Sequence, residues 1–134
     1  MSTTVPRLRI LVVEDCLDTA VALRAVLVKW GHDVRTAQDG TAGLNAATVF
    51  RPHLVMIDLG LPGPDGFQLA RWLQELPEVP VLVAATGHDS PVVRLAARET
   101  GFDHFLAKPF NLEQLQAIVA KGACARRPAQ PAGR

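Results

Sequence analysis

The chain has 134 residues, 49% of them apolar and 20% charged, with a formal net charge of +1. That size fits one domain around one core, and that composition excludes an unstructured chain. A near-neutral charge offers no field for nucleic acid or an anionic membrane, no apolar run reaches the roughly 20 residues that cross a bilayer, and two cysteines are too few for a disulfide framework. The opening MSTTVPRLR lacks the apolar stretch of a secretory signal, so a cytoplasmic location is expected.

Residues 8–13 (LRILVV) suit a strand buried on both faces, and Glu14-Asp15 follow it. Leu23, Val26, Leu27 and Trp30 fall at helical spacing before Gly31, which stops the helix. A short strand at 33–37 leads to Asp39, a cap for a second helix with Ala46, Ala47 and Phe50 on its inner face. The third strand, 53–57, runs straight into Asp58 and then into the glycine- and proline-rich exit LGLPGPDG. There Asp65 and Gln68 form a capping box for a helix striped by Leu69, Leu73 and Leu76.

A fourth strand, VLVAA at 81–85, ends in Thr86-Gly87. Ser90-Pro91 open a fourth helix whose inner face is only Val93, Ala96 and Ala97, so it is expected to be loosely held; Gly101 ends it. A last strand at about 103–106 precedes Lys108-Pro109. Asn111 with Gln114 then caps a fifth helix, striped by Leu112, Leu115, Ile118 and Val119. The remainder, GACARRPAQPAGR, is small, polar and proline-containing. It reads as a disordered tail over 122–134, with its arginines solvated, beyond a domain over 1–121.

Five strands alternating with five helices imply an α/β fold: a doubly wound (βα)5 three-layer sandwich on a parallel five-stranded sheet, commonly ordered 2-1-3-4-5. Ligands bind such sheets at the carboxyl ends of strands, where the winding reverses. Glu14, Asp15, Asp58, Thr86 and Lys108 all stand at carboxyl ends. Three carboxylates brought together repel one another, and a divalent cation resolves the conflict. Magnesium prefers a few hard oxygens and keeps positions open for phosphate. Lys108 adds a mobile positive charge and Thr86 a hydroxyl. The set suits phosphoryl transfer, with a carboxylate, Asp58, as nucleophile.

VVED at 12–15, VMIDLGLPGPDG at 55–66, ATG at 85–87 and FLAKPF at 105–110 occur in that order. Over about residues 8–120 the chain therefore resembles a response-regulator receiver domain of two-component signalling, a flavodoxin-like fold. The resemblance implies that Asp58 is the phosphoacceptor, supplied by a sensor histidine kinase or a histidine phosphotransfer protein. It implies that Mg²⁺ (or Mn²⁺) is held by Glu14, Asp15, Asp58 and the Gly60 backbone carbonyl. Lys108 would pair with Asp58 and then with the phosphoryl oxygens. Thr86 would move toward the phosphoryl group, and Phe105 would turn into the space that Thr86 leaves. The face made by the fourth helix, fifth strand and fifth helix would change shape, signal to a downstream protein and offer a surface for a homodimer. Pro109 is a candidate for a cis peptide bond.

Some positions depart from common members. Phe105 replaces a frequent tyrosine and so carries no hydroxyl. Gly60 and His88, two residues after Asp58 and Thr86, occupy positions that tune the phosphoryl lifetime. Cys16 beside the acid pair is expected to have a raised thiol pKa. His32, His53, His88 and His104 lack metal-ligand spacing and read as loop or strand-edge residues; Trp30 and Trp72 read as helix packing.

The same residues bear on three competing functions. A magnesium phosphatase working through an aspartyl phosphate needs a second acid near the nucleophile, and only Gly60 stands two residues on. A flavodoxin-type carrier needs a phosphate cradle after strand 1, where this chain has acids. A receiver that is not phosphorylated would not need all five site residues. Met1 and the lack of an output segment after 122 suggest a stand-alone receiver without direct nucleic-acid or membrane contact; LGLPGPDG and GFDHFLAKPF also suit a receiver excised from a hybrid sensor kinase.

Overall fold

The computed structural model describes residues 6–125 and 127–128. Five parallel strands form the main sheet: β1 (Arg9–Val13), β2 (Asp33–Ala37), β3 (Leu54–Asp58), β4 (Val81–Thr86) and β5 (His104–Ala107). Numbered along this sheet alone, their order is β2-β1-β3-β4-β5, as the alternating pattern implies. Between and after them run α1 (Leu17–Lys29), α2 (Gly40–Phe50), α3 (Gly66–Leu73), α4 (Pro91–Thr100) and α5 (Leu112–Ala125).

Side chains alternate across the strands, so the sheet feeds two separate cores. Leu11, Val13, Val55, Ile57 and Leu82 pack with Ala47 of α2, Leu69 and Leu73 of α3 and Ala97 of α4. Ile10, Val12, Leu54, Met56 and Val83 pack with Leu23 and Leu27 of α1 and Leu115 and Val119 of α5. Trp72 leans on the first core and Trp30 on the second. This is the three-layer sandwich. Its central strands bury both faces, which explains their unbroken apolar runs.

Helix starts follow the capping residues. Asp39 accepts the Ala42 N–H at 2.8 Å, Asp65 that of Gln68 at 3.0 Å, and Ser90 that of Val93 at 3.2 Å. Asn111 and Gln114 form a reciprocal box, at 2.8 and 3.1 Å. Gly31 (φ 101) and Gly101 (φ 119) end α1 and α4 in the left-handed region open to glycine. α2 ends instead at Arg51, a non-glycine residue with φ 54. There the Arg9 Nε donates to the carbonyls of Phe50 and Arg51, at 3.1 and 2.9 Å.

Four details depart from the sequence reading or add to it. Leu112 is half exposed rather than part of the inner stripe, because as the first residue of α5 it lies outside the turns that face the sheet. Leu76 follows the end of α3 and packs on the core from a turn. His32 and His53 stand in the loops just before β2 and β3, as expected, and in addition their Nδ1 atoms accept the N–H groups of Leu8 (3.1 Å) and Arg9 (2.9 Å). The expected tail does not begin at 122, since α5 continues through Ala125. Gly122 permits this by close approach, as a Cβ there would lie 2.9 Å from Leu54 Cδ1. Arg127–Pro128 pair antiparallel with Glu78–Val79. The rest of the expected tail, 126 and 129–134, lies outside the described residues.

Gly66 opens α3 against the end of β3. A Cβ there would stand 2.7 Å from the Asp58 carbonyl oxygen and 2.9 Å from Leu59 Cα, both backbone atoms with little freedom to yield. Gly66→Ala is therefore expected to cost about 1–3 kcal/mol, read as a lower urea midpoint. An unchanged midpoint would show that the joint between β3 and α3 gives way freely.

Candidate functional site

The register of the sheet delivers the polar residues to one rim. Val13 pairs with Ile57, Asp58 with Ala85 and Thr86 with Ala107, so the carboxyl ends of β1, β3, β4 and β5 finish together. Glu14 continues from β1, its N–H donating to the Ala37 carbonyl at 2.9 Å. Asp58 is the last residue of β3. One carboxylate oxygen each from Glu14, Asp15 and Asp58 lies within 4.8 Å of the others.

The three acids differ in setting. Glu14 is only 3% exposed, while Asp15 is open to solvent. Glu14 Oε1 accepts from Lys108 Nζ at 2.8 Å, and Oε2 accepts the Cys16 N–H at 3.1 Å. Asp58 Oδ1 accepts the Gly60 N–H at 2.9 Å, and Oδ2 lies 3.6 Å from Lys108 Nζ. The closer partner of Lys108 is thus Glu14, whereas the sequence reading paired it first with Asp58. The physical reason is burial: Glu14 is the most enclosed of the three acids and has the most to lose without a counter-charge.

Burial raises the Glu14 pKa above the usual carboxylate range. Lys108 and the Cys16 N–H lower it, and nearby Asp58 raises it again. Burial alone would lower the Lys108 pKa, but Glu14 and Asp58 outweigh it and hold the ammonium above its ordinary value. Three carboxylates against one ammonium leave about two negative charges at the rim. Hard oxygens at this spacing, partly open to solvent, fit a divalent cation that retains some of its water.

Thr86 is buried at the end of β4, its Oγ accepting the His88 N–H at 3.0 Å. Its carbonyl accepts the Lys108 N–H at 2.8 Å, tying the two strand ends together. The Lys108–Pro109 peptide is cis, as expected. Phe105 is half-buried on the core that faces α4, and the Arg94 guanidinium covers its ring at 4.6 Å.

The structure corrects the expectation for Cys16. It is exposed at the N-cap of α1 without an ordinary cap hydrogen bond, and the Thr19 hydroxyl and N–H facing its sulfur lower the thiol pKa rather than raise it. Sequence reasoning missed Gly66, whose signal was the last glycine of the LPGPDG exit. It also missed Asp89 and Arg94, whose five-residue separation carries no pattern of its own.

The charge arrangement has a pH signature. Lys108 is held above its ordinary pKa, so its contribution is present at neutral pH and is lost only as pH rises through that raised value. Glu14 is also raised, so it favours the fold below its ordinary value and ceases to do so as pH rises through the raised one. Lys108→Met should therefore cost on the order of 2 kcal/mol near neutrality, and less as acid protonates Glu14. Urea titrations at the two pH values measure the difference; equal losses would assign Lys108 a packing role only.

The sequence profile of the response regulator receiver domain matches residues 10–120. Over 106 residues the chain is 38% identical to aerobic respiration control protein ArcA of Escherichia coli K12, covering 79% of this chain and 44% of that protein. It is 39% identical over 113 residues to DNA-binding response regulator MtrA of Mycobacterium tuberculosis H37Rv, covering 84% and 49%. The chain thus spans about half the length of these curated relatives. Among solved structures, the receiver domain of sensor histidine kinase PA1611 from Pseudomonas aeruginosa PAO1, with a magnesium ion in its active-site cleft, superposes with a TM-score of 0.80. Identity is 26%, over 90% of this chain and 100% of that one. With the profile, the relatives, the strand order and the acidic rim in agreement, this chain belongs to the response regulator receiver domain family.

Proposed function

We propose that the chain accepts a phosphoryl group on Asp58 from a phosphohistidine of a sensor histidine kinase or histidine phosphotransfer protein, and signals by protein contact in the cytoplasm. The observation that carries this reading is the convergence of the Glu14, Asp15 and Asp58 oxygens within 4.8 Å, with Lys108 shared between two of them. An Asp58 oxygen would bond to phosphorus as the phosphorus–nitrogen bond of the donor breaks, and the imidazole leaves. Asp15, Asp58 and the Gly60 carbonyl, with Glu14 in support, would hold Mg²⁺ or Mn²⁺, which supplies charge neutralisation for the phosphoryl oxygens. Asp58 is pre-oriented by the Gly60 N–H. Lys108 reaches both Glu14 and Asp58, so a small swing of its amine serves a phosphoryl oxygen once the charge on Asp58 is transferred outward.

Thr86 holds its hydroxyl at the same rim and would donate to the phosphoryl group. Phe105 would follow it inward and reshape the face of α4, β5 and α5, the surface offered to a downstream protein or to a second copy of the chain. Gly60 brings no side chain to the water that ends the phosphorylated state. His88 is exposed and free to influence that water. No helix among the described residues is long and apolar enough to cross a membrane. The name of MtrA assigns DNA binding to that longer protein; for this stretch, a net charge of +1 argues against direct nucleic-acid contact. A second reading, in which the domain serves within a hybrid kinase, draws on the likeness to the receiver domain of the sensor histidine kinase PA1611.

Incubation with Mg²⁺ and acetyl phosphate, followed by intact mass measurement, should give a single phosphoryl adduct. Asp58→Asn should give none, a chelator should abolish it, and Mn²⁺ should restore it. An adduct that survives in Asp58→Asn would place the acceptor elsewhere.

A further inference from the structure

Asp89, Arg94 and Phe105 form a chain of contacts that begins three residues after Thr86. Arg94 donates through Nε and Nη2 to the two Asp89 oxygens, at 2.6 and 2.9 Å. Its guanidinium lies over the Phe105 ring, 4.6 Å from the centroid. Thr86 Oγ accepts the His88 N–H, so hydroxyl, loop and ring are linked through the segment 86–90. Ser90 caps α4 immediately afterwards, and only Ala97 of that helix is fully buried.

We propose that Arg94 is a positioning residue that ties the Phe105 ring to the loop before α4, so that Thr86 and Phe105 change arrangement together. The proposal rests on the reading of Asp58 as phosphoacceptor and deepens it by naming what regulates the switch. Three features support it. Phe105 has no hydroxyl, so its ring face is the surface by which a polar group can hold it. The two-pronged contact with Asp89 fixes the plane of the guanidinium, which lets the same fork lie flat on the ring. The Arg94 and Asp89 side chains are 51% and 39% exposed, so water weakens each contact. Weak contacts suit a tie that biases an equilibrium and then gives way. If Thr86 is drawn toward a phosphoryl group, the loop carrying Asp89 shifts, the guanidinium loses its anchor, and the ring is released to follow. The tie therefore favours the unphosphorylated arrangement, and removing it shifts the population toward the one that takes up the phosphoryl group.

The test uses the full chain with 4-fluorophenylalanine placed at position 105, in the parent and in Arg94→Ala, Arg94→Lys and Asp89→Asn. Acetyl phosphate with Mg²⁺ should phosphorylate all three variants faster than the parent, by about two- to fivefold, with unchanged Mg²⁺ affinity. Arg94→Lys should behave like Arg94→Ala, because a lysine keeps the charge but not the fork. Without phosphodonor, the fluorine resonance should move in all three, including Asp89→Asn, whose side chain is not the group over the ring. Rates equal to the parent, or an Asp89→Asn resonance at the parent position, would overturn the tie. Failure of the parent to take up phosphate would instead defeat the phosphoacceptor reading, and the fluorine measurement would still decide the proposal. Thermal midpoints confirm that each variant is folded.

Discussion

Glu14 is sealed from water beside a second carboxylate, and one shared ammonium makes that tolerable. Burial of the Glu14 carboxylate is the main electrostatic cost at the carboxyl rim, and the neighbouring Asp58 adds to it. Lys108 offsets it by reaching both acids at once. The parallel register sets the positions of the acids, because β1 and β3 lie side by side with their ends level. The link between the Lys108 N–H and the Thr86 carbonyl then keeps the lysine within reach. A rim with excess negative charge and one mobile positive group is suited to receiving a cation and a phosphate together.

The sheet was legible because its strands are unbroken apolar runs ended by acids, glycine or proline. Asp39, Asp65, Ser90 and Asn111 each marked a helix start correctly, since capping is a local interaction. The acidic cluster was legible for a different reason: a doubly wound sheet sends every strand's carboxyl end to the same side. Features set by long-range packing were hidden. Nothing local reveals that Lys108 prefers Glu14, because relative burial decides it. The histidines gave no sign that their ring nitrogens would serve distant backbone N–H groups. Gly122 looked like the start of a tail, although its missing side chain is what lets α5 continue over Leu54.

The helices on one face of the sheet are held unequally. α3 contributes Leu69, Ala70 and Leu73 to its core, all fully buried, and Gly66 sets it hard against the end of β3. α4 contributes little besides Ala97 and leaves Val92 and Leu95 exposed. Rigid packing therefore surrounds Asp58, while the more lightly anchored element lies beside Phe105. Local opening free energy follows such differences in burial. The division gives a fixed reaction centre next to a yielding reporter surface.

The chain contains no tyrosine and two tryptophans, and those two indoles lean on opposite cores, Trp72 on the α3 side and Trp30 on the α1 side. Ultraviolet emission from the native molecule is accordingly all indole, with one emitter on each side of the sheet. Replacing either with phenylalanine leaves a single intrinsic fluorophore, and the two halves of the structure can then be watched separately without any added dye.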